Sequence, residues 1–205
     1  DLRTQVLREG IRRVDAVLFT HSHADHIMGL DDCRRFCSIN GHRPLPLYAD
    51  RQTMKALRRV YQYAFEGPLI RGYFKPEPQL INGPFALGDL QVTPFEQSHG
   101  SMGSLGFLFE QVGAKCLAYY NDCKAVSLQA VEAAKGVRVA VLDALRPHEN
   151  PSHMSLDEAL TTARRISAGE TLLSHLTDFY DHDRDEAELP NGVRFAYDGL
   201  KLCLS

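Results

Sequence analysis

The sequence predicts an α/β protein, on three observations. Short apolar runs of strand length are interspersed with longer stretches of helical spacing, the pattern of sheets covered by helices. Several of the apolar runs stop at a histidine or an aspartate, and loops at the ends of rigid strands are where functional groups are usually carried. Glycine and aspartate fall where adjacent runs would turn back on one another.

The chain opens in a helix from Asp1 and reaches a buried strand at Asp15–Thr20 (DAVLFT), which ends abruptly at polar His21. A helix follows, with Ile27, Leu30, Cys33 and Phe36 in approximate helical spacing. Leu45–Ala49 is the next strand. Asp50 is a good N-cap for a helix running to about Phe65, with Met54, Leu57, Tyr61 and Ala64 on one face. Residues 67–82 are rich in Pro and Gly and read as a surface excursion followed by a short strand. Phe85–Gln97 reads as a hairpin turning at Gly88-Asp89, and Ser104–Gln111 and Lys115–Tyr120 as two strands turning near Gly113. Lys124–Ala134 is expected to be helical, Val137–Leu145 a buried strand and Leu156–Ile166 a helix. Glu170–Leu176 is a strand, and Val193–Leu204 a closing hairpin around Asp198-Gly199.

A length of 205 residues suits a single domain, 1–205, and 44% hydrophobic residues suffice for a core. The formal charge of −3 argues against a general nucleic-acid binder, which carries a basic excess. No apolar run approaches the roughly 18 residues of a membrane span, and DLRTQVLREG is no signal peptide, so a soluble protein is expected. The five cysteines form no Cys-x-x-Cys pair and read as free thiols of a reducing cytoplasm. Cys33 and Cys37, four apart on a helix, are an alternative metal pair without other soft ligands nearby.

The segment Thr20-His21-Ser22-His23-Ala24-Asp25-His26 packs three imidazoles and a carboxylate directly after a buried strand. Imidazole and carboxylate suit borderline divalent ions such as Zn²⁺, and also Mn and Fe. In extended chain His21 and His23 share a side and can chelate one ion, and the turn into the helix swings Asp25 and His26 toward a second position.

The string H-x-H-x-D-H after an apolar strand resembles the signature of the metallo-β-lactamase superfamily. The family's later His, Asp and His are matched in order by His99, Asp122 and His175, each after a strand. The resemblance implies a four-layer αββα sandwich. Its first sheet is expected to be incomplete, because the family's N-terminal strands, which would precede Asp1, are absent from this sequence. It also implies two divalent ions, Zn²⁺ or Mn²⁺ with Fe as an option. His21, His23 and His99 would hold the first, Asp25, His26 and His175 the second, and Asp122 would bridge them. A metal-bridging hydroxide would be the nucleophile, with Asp25 able to orient it.

Within the family, the loop Pro147–Ser155 resembles that of phosphoribosyl cyclic phosphate phosphodiesterases and tRNA 3′-processing endonucleases, where a loop histidine acts as general acid. His153 matches best and His148 second. His153 could instead cap the following helix with Ser152 or Ser155, although Ser155 and Glu158 form a capping box unaided. Ala196-Tyr197-Asp198-Gly199 also resembles the close of the phosphodiesterase branch. Arg146 is either a phosphate contact or a surface arginine. Asp143 is either a partner of a metal-bound histidine or a turn carboxylate, and His182 a solvated or supporting group. Thr20 and Ser174 could orient their neighbouring ligands.

The expected activity is therefore hydrolysis of a small-molecule phosphodiester, a cyclic phosphate or nucleotide-type ester. A thioester or lactone hydrolase and a non-catalytic metal-binding or RNA-associated scaffold are the alternatives. The long basic arm of the tRNA-processing enzymes is missing, so a structured RNA is less attractive as substrate. By family analogy alone the chain could form a homodimer.

Overall fold

The computed structural model describes residues 1–67 and 74–204. Most of the expected surface excursion, residues 68–73, lies outside the described residues. The chain divides into two compact units, Asp1–Asn82 and Gly83–Ser205, each with its own apolar cluster. No described helix is long and apolar enough to cross a membrane.

The first unit opens with α1 (Leu2–Arg8), started by Asp1, whose carboxylate accepts from the Thr4 amide at 2.7 Å. Its sheet is three parallel strands in the order β1 (Val17–Leu18), β2 (Leu45–Ala49), β3 (Pro76–Leu80). Pro76 and Pro78 are tolerated because β3 is the edge strand, where a missing amide donor costs no ladder bond. The single helix expected after the His-rich loop is instead three short pieces: α2 (Ala24–Ile27), a 3₁₀ turn at Leu30–Cys33 and α3 (Arg34–Ile39). The helix expected from Asp50 to Phe65 is likewise two, α4 (Arg51–Val60) and α5 (Gln62–Glu66), broken at Tyr61 (φ −110°, ψ 38°). Asp50 does cap α4, accepting from the Thr53 amide at 2.6 Å.

Cys33 and Cys37 both lie in this unit's core with Phe36, Leu47 and Leu57. Burial, with Asp32 adding to it, pushes the Cys33 thiol up to about 11, and it packs among apolar side chains as a small hydrophobe. Cys33→Ser is expected to leave metal content unchanged while costing about 1–3 kcal/mol for the buried hydroxyl. Elemental analysis beside a denaturation curve checks both, and a fall in bound metal would restore the cysteine site.

The second unit is one seven-stranded sheet. β4 (Phe85–Leu87), β5 (Leu90–Gln97), β6 (Ser104–Gln111) and β7 (Ala114–Tyr120) form an antiparallel meander. Its β6–β7 turn is Val112-Gly113, both at positive φ (50° and 78°), as a type I′ hairpin needs. From β7 onward the sheet is parallel, through β8 (Val139–Asp143), β9 (Glu170–Ser174) and β10 (Val193–Phe195). α6 (Leu128–Ala134) and α7 (Leu156–Ile166) make the crossovers and pack on the core around Tyr120, Leu142 and Leu173; α8 (His182–Glu186) precedes β10.

Two expectations fail in this unit. The helix expected from Lys124 begins only at Leu128, because Lys124 and Ala125 bridge to Ser98 through backbone hydrogen bonds and Ser127 takes the cap. The closing hairpin does not form either. β10 adds parallel to β9, which satisfies its backbone, and residues 201–204 take no regular structure.

Candidate metal centre

In the first unit, β1 delivers the chain to Thr20 and His21, and the turn into α2 makes His23 the N-cap residue. This is the strand-to-helix switch expected from the sequence, and it puts four polar side chains within one short turn. His21 is 1% exposed. Its Nδ1 lies 3.0 Å from the Thr20 hydroxyl and its Nε2 lies 2.8 Å from His23 Nδ1. Two ring nitrogens this close must share a proton unless a cation replaces it, and displacing that proton is how imidazole pairs take up metal. The rings of His21 and His26 stand 4.4 Å apart, and His26 Nε2 lies 3.2 Å from an Asp25 oxygen. The donor set, imidazole nitrogens with one carboxylate, fits a borderline divalent ion.

In the second unit the site follows from strand direction. β5, β7, β8 and β9 all run the same way, so their C-terminal ends open on one edge of the sheet. His99 follows β5, Asp122 follows β7, Asp143 ends β8 and His175 follows β9. Asp122 and His175 take left-handed backbone conformations (φ 53° and 62°), uncommon outside glycine but among non-glycine residues most often adopted by Asn, Asp and His. Ser104 helps hold Asp122 there by donating its hydroxyl to the Asp122 carbonyl at 3.0 Å.

Asp122, Asp143, His153 and His175 each offer a donor atom within 4.8 Å of the others. His153 Nδ1 lies 2.9 Å from Asp143 Oδ2 and 3.1 Å from Asp122 Oδ1. The His153 ring stacks on that of His175 at 4.9 Å and meets that of His99 edge-on at 4.9 Å. His175 Nε2 lies 3.9 Å from Asp122 Oδ2. His99 Nδ1 lies 3.0 Å from the Ser152 carbonyl, which can only accept, so this nitrogen carries a proton and donates it.

Asp143 is fully buried. Burial raises its carboxyl to about 7, against the pull of His175 and of the Cys123 and Leu145 amides that it accepts at 2.9 and 3.0 Å. The two amides make it a turn carboxylate, and its side-chain hydrogen bond goes to His153.

The capping alternative for His153 is settled by α7. Ser155 accepts from the Glu158 amide and Glu158 accepts from the Ser155 amide, closing the capping box without His153. Three other candidates make contacts of their own. His148 is exposed with its ring toward Phe179, and Arg146 Nη2 donates to the Glu149 carbonyl at 2.8 Å. His182 packs near the rings of Phe195 and Tyr197. Sequence reasoning missed Ser104 and the Ser152 carbonyl, because a serine hydroxyl and a backbone oxygen carry no signal of their own.

The profile of the family described as Beta-lactamase superfamily domain matches residues 1–176. A crystal structure of a diphosphatase from the PhnP family superposes with a TM-score of 0.87 at 32% identity, covering 100% of this chain and 79% of that one. The short form of human tRNase Z matches with a TM-score of 0.72 at 18% identity, over 99% of this chain and 85% of that one, which shows likeness of fold. A curated relative, an octanoyltransferase of Porphyromonas gingivalis (strain ATCC BAA-308 / W83), is 33% identical over 212 residues. That match covers 100% of this chain, which spans 41% of the relative's length.

Proposed function

The chain belongs to the metallo-β-lactamase superfamily, and from that premise we propose that it is a metal-dependent hydrolase of a small cyclic phosphate or nucleotide-type ester. His21, His23 and His99 would hold one divalent ion, Asp25, His26 and His175 a second, and Asp122 would serve both. Zinc or manganese suits these donors best, with iron a third option. Bound there, such ions supply an activated water at neutral pH and polarise a phosphoryl oxygen.

The observation that carries the phosphorus reading is the anchoring of His153. Nδ1 is turned to Asp143 and Asp122 and helix capping is left to Ser155, so this ring is held at the cluster, where its Nε2 would protonate a departing alkoxide. Acyl transfer from a thioester has less need of such an acid. Arg146 and His148 share the loop between β8 and α7 with His153 and are the candidates to meet the far side of a phosphate. The diphosphatase relative supports phosphoryl chemistry. Four buried thiols, Cys33, Cys37, Cys116 and Cys123, support a cytoplasmic setting.

A thioester or lactone substrate is the second reading. The octanoyltransferase relative favours it, since the same ions would polarise a carbonyl, but that name describes a chain more than twice as long as this one. The protein is expected to turn over bis-p-nitrophenyl phosphate, to lose that activity to a chelator and to regain it with Mn²⁺ or Zn²⁺. Preference for an octanoyl thioester would overturn the phosphodiester reading. Two bound ions with no turnover of either substrate would favour the scaffold.

A further inference from the structure

The helix that carries Asp25 and His26 is only four residues long, too short to hold itself. Its last residue, Ile27, has a backbone carbonyl beyond the reach of an intrahelical amide. That carbonyl accepts the hydroxyl of Tyr61 at 2.7 Å, a buried bond between residues 34 apart in sequence. That hydroxyl therefore ties the end of α2, just before the link Met28-Gly29, to the break between α4 and α5. On Gly29 an added Cβ would come within 2.7 Å of Leu2 Cβ, so α1 packs directly against this short link.

Tyr61 is also where the long amphipathic helix gives up its continuity. A phenylalanine would fill the same apolar site, since Tyr61 packs among core residues. What the hydroxyl adds is the bond to the α2 carbonyl.

We propose that Tyr61 is a positioning residue for the Asp25–His26 half of the metal centre, holding α2 in place before any ion arrives. The proposal rests on the reading that Asp25 and His26 hold an ion. Stepwise Zn²⁺ binding to wild type and Tyr61→Phe, measured by competition with a chelating dye, tests it. Tyr61→Phe is expected to bind one ion as wild type does and the other about tenfold more weakly, in the range of supporting-group losses at metal sites. Excess Zn²⁺ should restore its turnover, whereas His26→Ala should stay inactive.

Equal weakening of both ions, or no change, overturns the proposal. So does the same selective loss in Tyr63→Phe, which removes a neighbouring bond to Asp31 but leaves the α2 carbonyl bonded. Wild type that binds fewer than two ions overturns the dinuclear centre instead. Should Tyr61→Phe not fold, amide exchange in metal-free wild type decides the matter. The Met28 amide, bonded to the Ala24 carbonyl at 2.9 Å at the end of α2, is expected to be protected before Zn²⁺ is added, and protection appearing only with Zn²⁺ overturns the proposal.

Discussion

Asp122→Ala is expected to lose bound metal and to lower hydrolysis about a thousandfold or more. A catalytic ion supplies several kcal/mol of transition-state stabilisation, and each 1.4 kcal/mol is about tenfold in rate. Asp122 lies near His99, His153 and His175 at once, with oxygens 3.5, 3.1 and 3.9 Å from their ring nitrogens. The backbone complicates a simple alanine replacement. At φ 53° an alanine costs roughly 1–2 kcal/mol that aspartate or asparagine largely avoids. Asp122→Asn is therefore the companion variant, keeping size and conformation while removing the charge. Both are expected to fall below two ions per chain by elemental analysis. Retention of two ions in both would sink the assignment, and loss in the alanine variant alone would trace the effect to backbone strain.

His153→Ala is expected to keep both metals and lower turnover by about 10²–10⁴ on substrates with poor leaving groups, the range for a placed general acid. A p-nitrophenolate departs without needing a proton, so the loss on an activated diester should be much smaller. An equal loss on both would show that His153 shapes the site rather than donating a proton. The variant leaves the Ser155–Glu158 capping box intact, so α7 should start where it does now. Removing the imidazole also leaves Asp143 without its side-chain partner, though still accepting from Cys123 and Leu145. A modest fall in stability is therefore compatible with the acid role, but a fall in metal content is not.

The ligand candidates were legible because their chemistry is concentrated or regularly placed. His21, His23, Asp25 and His26 fall within six residues after an apolar run, and His99, Asp122 and His175 each follow a strand that alternation or apolar continuity predicts. The hairpins at Gly88 and Gly113 and the exact span of α7 were equally readable, since positive-φ turns and capping boxes are local. The breaks were not. Nothing in the periodicity of residues 51–65 marks Tyr61, because the spacing of apolar residues continues through it; the break accompanies a bond to Ile27 that sequence distance conceals. The closing hairpin failed for a similar reason. Val193–Phe195 has strand composition, but its neighbour is decided by which sheet edge is free to pair, and that edge is β9.

By itself, then, the sequence determined the α/β class, the order of most elements and the supply of ionisable groups at strand ends, all of which rest on contacts within about ten residues. Only the tertiary structure decided that Asp143 serves His153, that Ser155 rather than His153 caps α7, and that Tyr61 reaches α2. Those pairings depend on the direction in which parallel strands present their ends and on where separate helices come to rest. Such arrangements are set by packing a whole unit, and no single segment encodes them.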